Sequence, residues 1–238
     1  MPANSRKRQK KQEQRAAKRK LKHQQLARAK QAGFRERLAD ADRYPILDSW
    51  VSEDLFSEGM GWIGLSRRLP NGFIAAVIFL VDRYCLGVKD AMAKILGASA
   101  YAEQLQRTRE RFDVKNLPPE TIRKFVEGAV AYAASLGLPP HPDYRKAKLI
   151  FGSISADLST EQLEFGQDGK PMFIAGPNDD ALRCRRILQA LEASRGPGGF
   201  HYVIPGSDMD DLAIMDTPEA PVRLEDHTDE PDTGDDVW

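Results

Sequence analysis

The separation of opposite charges at the two ends of this chain constrains its fold more than any other feature. The chain has 238 residues, and its 35 basic and 35 acidic side chains cancel. Residues 1–30 hold 12 Lys or Arg against one acidic residue, and residues 208–238 hold 12 Asp or Glu against one Arg. Segments this dense in like charge repel themselves and have little apolar surface to bury. We therefore divide the chain into a basic arm (residues 1–40), a single globular domain (41–207) and an acidic, disordered tail (208–238).

The basic arm is predicted to bind a polyanion, either RNA or DNA. Between residues 5 and 37 it contains helix-forming residues, but Leu21 and Leu26 are its only large aliphatic residues. Such a helix has nothing to bury, so we expect it to be partly disordered until a partner neutralises it. Cationic side chains that displace counterions from phosphates give affinity without sequence readout. The predicted nucleic-acid-binding residues are Arg6, Lys7, Arg8, Lys10, Lys11, Arg15, Lys18, Arg19, Lys20 and Lys22.

The nucleic acid that best suits this arm is a duplex or structured RNA. Aromatic side chains are nearly absent before Phe34, and base stacking on single strands requires them. The alternative is a solvated arm that only aids solubility.

The central region predicts an α+β fold, with one mixed or antiparallel sheet of about five to six strands packed by three to four helices. Asn71-Gly72 and Asp168-Gly169 each stand between apolar segments, which indicates two hairpins because these residues tolerate positive φ. The apolar run Phe73–Val81 predicts an internal strand, covered on both faces. Further strands are expected at Tyr44–Val51, Gly61–Leu69, Leu163–Phe165, Met172–Ala175 and Phe200–Ile204. Helices are expected at Asp90–Leu96, Tyr101–Phe112, Pro119–Leu136 and Tyr144–Ile150, and from an N-cap at Asn178 to about Ser194.

The segment that follows Phe73–Val81 contains the candidate catalytic residues Asp82, Cys85 and Lys89. Asp82 is a candidate acid, base or metal ligand, and Cys85 a candidate nucleophile with His141 or His201 as its base. If the strand continued, Asp82 and Cys85 would point to opposite faces, so a shared site requires a bend there. The alternative is a buried cysteine beside charges that mark the end of the strand. Cys184 has helical spacing with Ile187, Leu188 and Leu191, which predicts a core thiol.

The composition predicts no cofactor and no metal, and a cytoplasmic location. The two cysteines lie far apart, and the four histidines are scattered without ligand spacing. No apolar run approaches the roughly 20 residues of a membrane-spanning helix. No hydrophobic stretch follows the basic start, as a secretory signal would require.

Two stretches of this sequence resemble a family of uncharacterised bacterial proteins. The first is Ser66–Val81, with its Pro-Asn-Gly turn, together with Tyr84–Asp90, and the second is Phe165–Pro177, with its Asp-Gly-Lys-Pro turn. The family has no assigned activity, so the resemblance implies a bacterial origin and supplies no catalytic residue.

The sequence therefore supports three hypotheses. The first is a nucleic-acid-associated or ribonucleoprotein-associated binding protein that uses the basic arm, tempered by the acidic tail acting as a tethered competitor. The second is an enzyme of unknown reaction with a site around Asp82, Cys85 and Lys89. The third is an adaptor that binds a protein partner through the acidic tail and Trp238.

Overall fold

An antiparallel sheet organises the domain. The computed structural model describes residues 18–20, 33–177 and 179–204. Five strands pair in the order β4-β3-β2-β1-β5, and every neighbouring pair is antiparallel. The strands are β1 (Ile46–Ser52), β2 (Met60–Arg68), β3 (Phe73–Asp82), β4 (Gly87–Gly97) and β5 (Val114–Asn116). A separate parallel pair is formed by β6 (Met172–Ile174) and β7 (His201–Val203).

Helices cover both faces of this sheet, which confirms the predicted α+β class. The helices are α1 (residues 33–40), α2 (Asp54–Ser57), α3 (Ala98–Arg111), α4 (Pro119–Ser135), α5 (Tyr144–Ala147) and α6 (Ala181–Arg195). Short 3-10 turns occupy Ala41–Arg43, Lys148–Phe151 and Ala156–Leu158. Residues 18–20 are also helical. Within the described part of the chain, no helix is long and apolar enough to cross a membrane.

The main core lies between the sheet and α4 and α5. Alternate residues of β3, such as Val77 and Phe79, are buried against these helices because side chains alternate between the two faces of a strand. Phe79 stacks on Phe151 with ring centres 5.6 Å apart. The predicted apolar stripe of α4, including Ile122 and Phe125, is buried in the same core. A second cluster joins the C-terminal end of α4 to α6 and contains both Cys85 and Cys184.

The turn between β2 and β3 confirms the first predicted hairpin. The amide of Gly72 donates to the carbonyl of Leu69 (3.2 Å), and the amide of Leu69 donates to the carbonyl of Phe73 (2.8 Å). Only Gly72 has a positive φ, 77°, so Asn71 does not share the left-handed conformation. The Asn71 side chain instead accepts a hydrogen bond from the amide of Phe73. This is the three-residue loop in which a glycine follows a tight turn.

The predicted helix at Asp90–Leu96 is wrong, because these residues belong to β4. Pairing with β3 runs from Phe73 opposite Gly97 to Asp82 opposite Gly87. Ala91, Ala93 and Ile95 pack in the core, which is the two-residue period of a strand. The segment contains helix-forming residues, but the hydrogen bonds and packing supplied by β3 outweigh that local propensity.

The second predicted hairpin is also wrong, except at its tip. Asp168 and Gly169 both have positive φ, and Gln167 bridges Lys170. No strand forms at Leu163–Phe165. Met172–Ile174 instead pairs in parallel with His201–Val203. The two strands of this pair are joined by a long connection that contains α6.

The N-cap of α6 is Asp180 rather than Asn178. The Asp180 carboxylate accepts a hydrogen bond from the amide of Arg183 (2.7 Å), and the helix begins at Ala181. Asn178 lies outside the described residues.

Candidate nucleic-acid interface

Helix α1 attaches the basic arm to the domain. Leu38 and Ala41 are fully buried in the main core, and Phe34 packs against its edge. Because this short segment supplies the only apolar side chains at the end of the arm, the arm is fixed to the domain there. The charged residues of α1, Arg35 and Arg37 among them, remain exposed.

A buried arginine reinforces this attachment. The guanidinium of Arg67, on β2, donates to the carbonyls of Asp42 (3.2 Å), Tyr44 (2.9 Å), Ile150 (2.9 Å) and Phe151 (3.2 Å). A buried guanidinium requires such partners, since desolvation of an unpaired charge is costly. Burial lowers the pKa of Arg67, and the nearby Asp42 carboxylate, 3.6 Å away, opposes that shift.

Asp42 links the same cluster to the loop after Phe151. Its carboxylate accepts hydrogen bonds from the Ser153 amide (2.8 Å) and hydroxyl (2.9 Å). The bond from the Ser153 amide is the main cause that lowers the Asp42 pKa, although partial burial opposes it. Gly152, with φ 49°, passes so close that a Cβ there would lie 2.1 Å from the Asp42 carboxylate. No sequence pattern indicates this cluster, because its members are distant in sequence and form no motif.

Basic residues of the domain surround the base of the arm. We call Arg35, Arg37, Arg145, Lys146 and Lys148 the basal patch. The Lys146 ammonium lies 5.8 Å from the centre of the Phe34 ring, which places α5 beside α1. Asp143 pairs with Lys146 (3.2 Å). Across residues 33–43 and 143–148, six basic residues stand against four acidic ones. The basal patch therefore adds a small positive excess to the arm.

The predicted arm residues are only partly within the described chain. Lys18, Arg19 and Lys20 are helical and exposed. The other predicted residues lie outside the described residues: Arg6, Lys7, Arg8, Lys10, Lys11, Arg15 and Lys22. The acidic tail from residue 208 also lies outside them.

The turn between β3 and β4 brings Asp82 and Cys85 together, as the hypothesis of a shared site required. The Asp82 carboxylate accepts hydrogen bonds from the amides of Tyr84 (2.9 Å) and Cys85 (3.0 Å). Burial nevertheless raises the pKa of Asp82, since desolvation exceeds the effect of these bonds. The carboxylate thus shapes the turn.

The same turn does not favour a nucleophilic cysteine. Cys85 is fully buried among apolar side chains, and burial, together with the Asp82 charge, raises the pKa of its thiol. A nucleophilic cysteine needs a lowered pKa and an accessible thiol. His141 is directed towards Asp90, 3.9 Å away, and His201 is exposed on β7. Within the described residues no hydrogen bond joins Cys85 to either histidine.

Lys89 is committed to an ion pair. Its ammonium lies 3.8 Å from the Asp179 carboxylate, and both side chains are largely buried. Asp179 also pairs with Arg183 (2.9 Å) and accepts a hydrogen bond from the Gly176 amide. The pair therefore ties β4 to the segment before α6. Cys184 is buried on α6 in the same region, which confirms it as a core thiol.

Metal ligands do not cluster in the part of the chain that the structure describes, since no three His, Cys, Asp or Glu side chains there could hold an ion.

Comparison of the chain with protein-family models, with curated proteins and with solved structures gives no match.

Proposed function

We propose that this protein binds RNA or DNA, alone or within a ribonucleoprotein assembly, and that its basic arm supplies most of the contacts. The observation that supports this is the attachment of the arm: Leu38 and the Arg67 cluster hold α1 on the domain at a defined point. Residues 1–30, with 11 net positive charges, precede this fixed base in the chain. Its contacts are with phosphates, and the arm has no Phe, Tyr or Trp before residue 34 on which bases could stack, so duplex or structured RNA suits it better than single strands.

The basal patch extends this surface onto the domain. A polyanion held by the arm passes close to α1 and α5, where Arg35, Arg145 and Lys148 are exposed and form no ion pair with any described residue. Each further phosphate contact adds to the release of counterions. The acidic tail acts in the opposite direction, because a tethered polyanion competes for the same cations at high effective concentration.

A salt series tests this proposal. Binding of a labelled RNA hairpin is followed by fluorescence anisotropy for the full chain and for a chain that starts at residue 33. The full chain should bind with an affinity that falls steeply with salt, by about 0.9 log units per log unit of salt for each duplex phosphate contacted. The shortened chain should lose most of that slope.

The shortened chain keeps α1 by design. A deletion that reached residue 40 would remove Leu38, whose burial contributes about 2 kcal/mol to stability, and would confuse binding with unfolding. A matched control replaces Arg107, Arg111 and Lys115, which lie on α3 and β5 and do not belong to the basal patch, with Gln. Undiminished binding by the shortened chain, or no binding by the full chain in dilute buffer, would overturn the proposal.

A further inference from the structure

Helix α3 crosses one face of the sheet but is buried at a single point. It begins directly after β4 and ends before β5, at the opposite edge of the sheet. Of its 14 residues, Tyr101 alone is buried. Gln104, Leu105 and Thr108 face the sheet and are half-buried, and the rest of the helix is exposed. Because a helix is normally held by a broad apolar stripe, α3 is weakly attached.

The hydroxyl of Tyr101 fastens α3 to two strands. It donates a hydrogen bond to the Asp48 carboxylate on β1 and accepts one from the Ser66 hydroxyl on β2, each 2.8 Å long. The amide of Asp48 donates to the same Ser66 hydroxyl (3.1 Å), so both partners are themselves fixed. Burial raises the pKa of Tyr101, which therefore stays protonated and remains a donor. Near the other end of α3, the exposed Arg109 adds a longer ion pair to Asp48 (3.9 Å).

The surface beneath α3 is an apolar crevice. Trp50 of β1, Ile78 of β3 and Met92 of β4 line it from the side of the sheet. Leu105 is the one large aliphatic side chain that α3 contains. The space left between α3 and the sheet is about 20 Å³, room for about one water molecule. A closely packed core leaves few gaps of this size, so packing contributes little to the attachment of α3.

Both ends of α3 are tied to strands that pair independently of it. Gly97, the residue before the helix, pairs with Phe73 of β3. Beyond the other end, the amide of Glu53 donates to the carbonyl of Asp113 (2.7 Å), and Val114–Asn116 pairs with β1. The helix can therefore leave the sheet without separating any of the five strands.

We propose that α3 is a lid over this crevice, that it opens while the sheet stays folded, and that the Tyr101 hydroxyl is its latch. Opening breaks the hydrogen bonds of Tyr101 and exposes Trp50, Ile78 and Met92. Elements with few buried contacts open at a lower free energy than the core. The inference does not depend on nucleic-acid binding, since the basic arm and the basal patch contain no residue of α3.

Hydrogen exchange of the full chain, followed by NMR, tests the lid. Amides in the middle of α3 should have protection factors lower than those of β2 and β3 by about tenfold or more, and their exchange should respond little to low concentrations of urea, as expected for a local opening. Equal protection of α3 and the two strands would overturn the proposal, because α3 would then open only when the whole domain unfolds.

Tyr101→Phe tests the latch, since it removes the hydroxyl and keeps the ring. It should speed the exchange of the α3 amides by about tenfold or more, the effect of losing a hydrogen bond to a charged group. Tyr144→Phe is the matched control: it alters a second buried tyrosine, on α5, and should leave α3 exchange unchanged because α5 takes no part in the opening. If Tyr101→Phe also left it unchanged, Tyr101 would not be the latch.

Thiol labelling gives an independent measurement. Ile78 lines the crevice, whereas Leu80, two residues further along the same face of β3, does not. Both are half-buried, and the native Cys85 and Cys184 are buried, so a thiol introduced by Ile78→Cys or Leu80→Cys reacts first. Tyr101→Phe should raise the labelling rate of Ile78→Cys several-fold and leave that of Leu80→Cys unchanged. Equal responses of the two thiols would contradict the proposal, since they would show either no opening or a general loosening of the sheet.

Discussion

The buried guanidinium of Arg67 donates hydrogen bonds to main-chain carbonyls from two distant segments, residues 42–44 and 150–151. These carbonyls take the place of the water that would hydrate it in the unfolded chain. Carbonyls at the ends of short helices and turns lack partners within their own element. One planar side chain with five N–H donors satisfies several of them at once. The carboxylate of Asp42 balances the charge and holds the Ser153 loop. The result is a polar clamp at the base of the arm.

This clamp predicts a pH dependence that can be measured. Because the Asp42 pKa is lower in the folded protein than in the unfolded chain, the ionised form stabilises the fold at pH values above its unfolded pKa of about 4. That contribution is lost as the pH falls through the folded pKa. Asp42→Asn should therefore reduce the free energy of unfolding by about 1 kcal/mol at pH 7, and the difference from the native chain should shrink as the pH falls below about 4 and through the lowered folded pKa.

Asp40→Asn is the control for that measurement. Asp40 forms an exposed pair with Arg43, 3.8 Å apart, and such pairs contribute little to stability. Urea unfolding of the three proteins across the acid range separates the two cases. A deficit for Asp42→Asn that persisted unchanged at pH 3 would show that the charge of Asp42 is not its cause.

Helix α6 shows how one side chain sets the start of an element. The Asp180 carboxylate accepts the Arg183 amide, and the dipole of the helix favours a negative charge there. Asp180→Ala should cost about 1 kcal/mol of stability, measured by thermal or urea unfolding. Asn178→Ala, which removes the cap predicted from the sequence, should cost much less. If the two losses were equal, or if the Asn178 loss were larger, the helix would begin earlier than Ala181.

Elements with a signal in their own residues were predictable from sequence. Turn glycines marked the β2–β3 hairpin, and the apolar stripe marked α4, from Pro119 to within a residue of its end. The wrong predictions concern segments whose structure is decided by contacts with residues distant in sequence. Strand β4 contains helix formers and becomes a strand because β3 lies beside it, and β6 pairs with β7, on the far side of α6, rather than with the nearby residues 163–165. Single-residue propensities contain no information on such pairings.

The candidate site divides in the same way. The excess of charge in the arm follows from composition, so the sequence alone identifies its basic residues, and their role in binding stays a prediction. The Arg67 clamp and the position of α5 beside α1 depend on contacts between residues about 80 to 110 positions apart, which no local pattern encodes. For Asp82 and Cys85, the sequence shows that a shared site requires a bend in the chain. The structure has that bend, but it also buries the Cys85 thiol.

At the scale of the whole molecule, the net charge of zero conceals two opposed segments joined by a domain of balanced charge. If the arm binds nucleic acid as proposed, a tail that carries 11 net negative charges competes for the same cations. Intramolecular competition of this kind does not depend on protein concentration, because the linker sets the effective concentration. Under this proposal, we expect dense polyanions with many phosphates to displace the tail and sparse ones not to.

Removal of the charges of the tail should therefore strengthen binding. Replacing the acidic residues between Asp216 and Asp236 with Asn or Gln should raise the affinity for an RNA hairpin about tenfold at low salt, with a smaller gain at high salt as screening weakens the competition. Anisotropy titrations at several salt concentrations measure both effects. The same substitutions in a chain that starts at residue 33 should have little effect, because the cations with which the tail competes are then absent. A gain that survived loss of the arm would place the competition elsewhere on the domain, and no gain in the full chain would show that the two charged segments act independently.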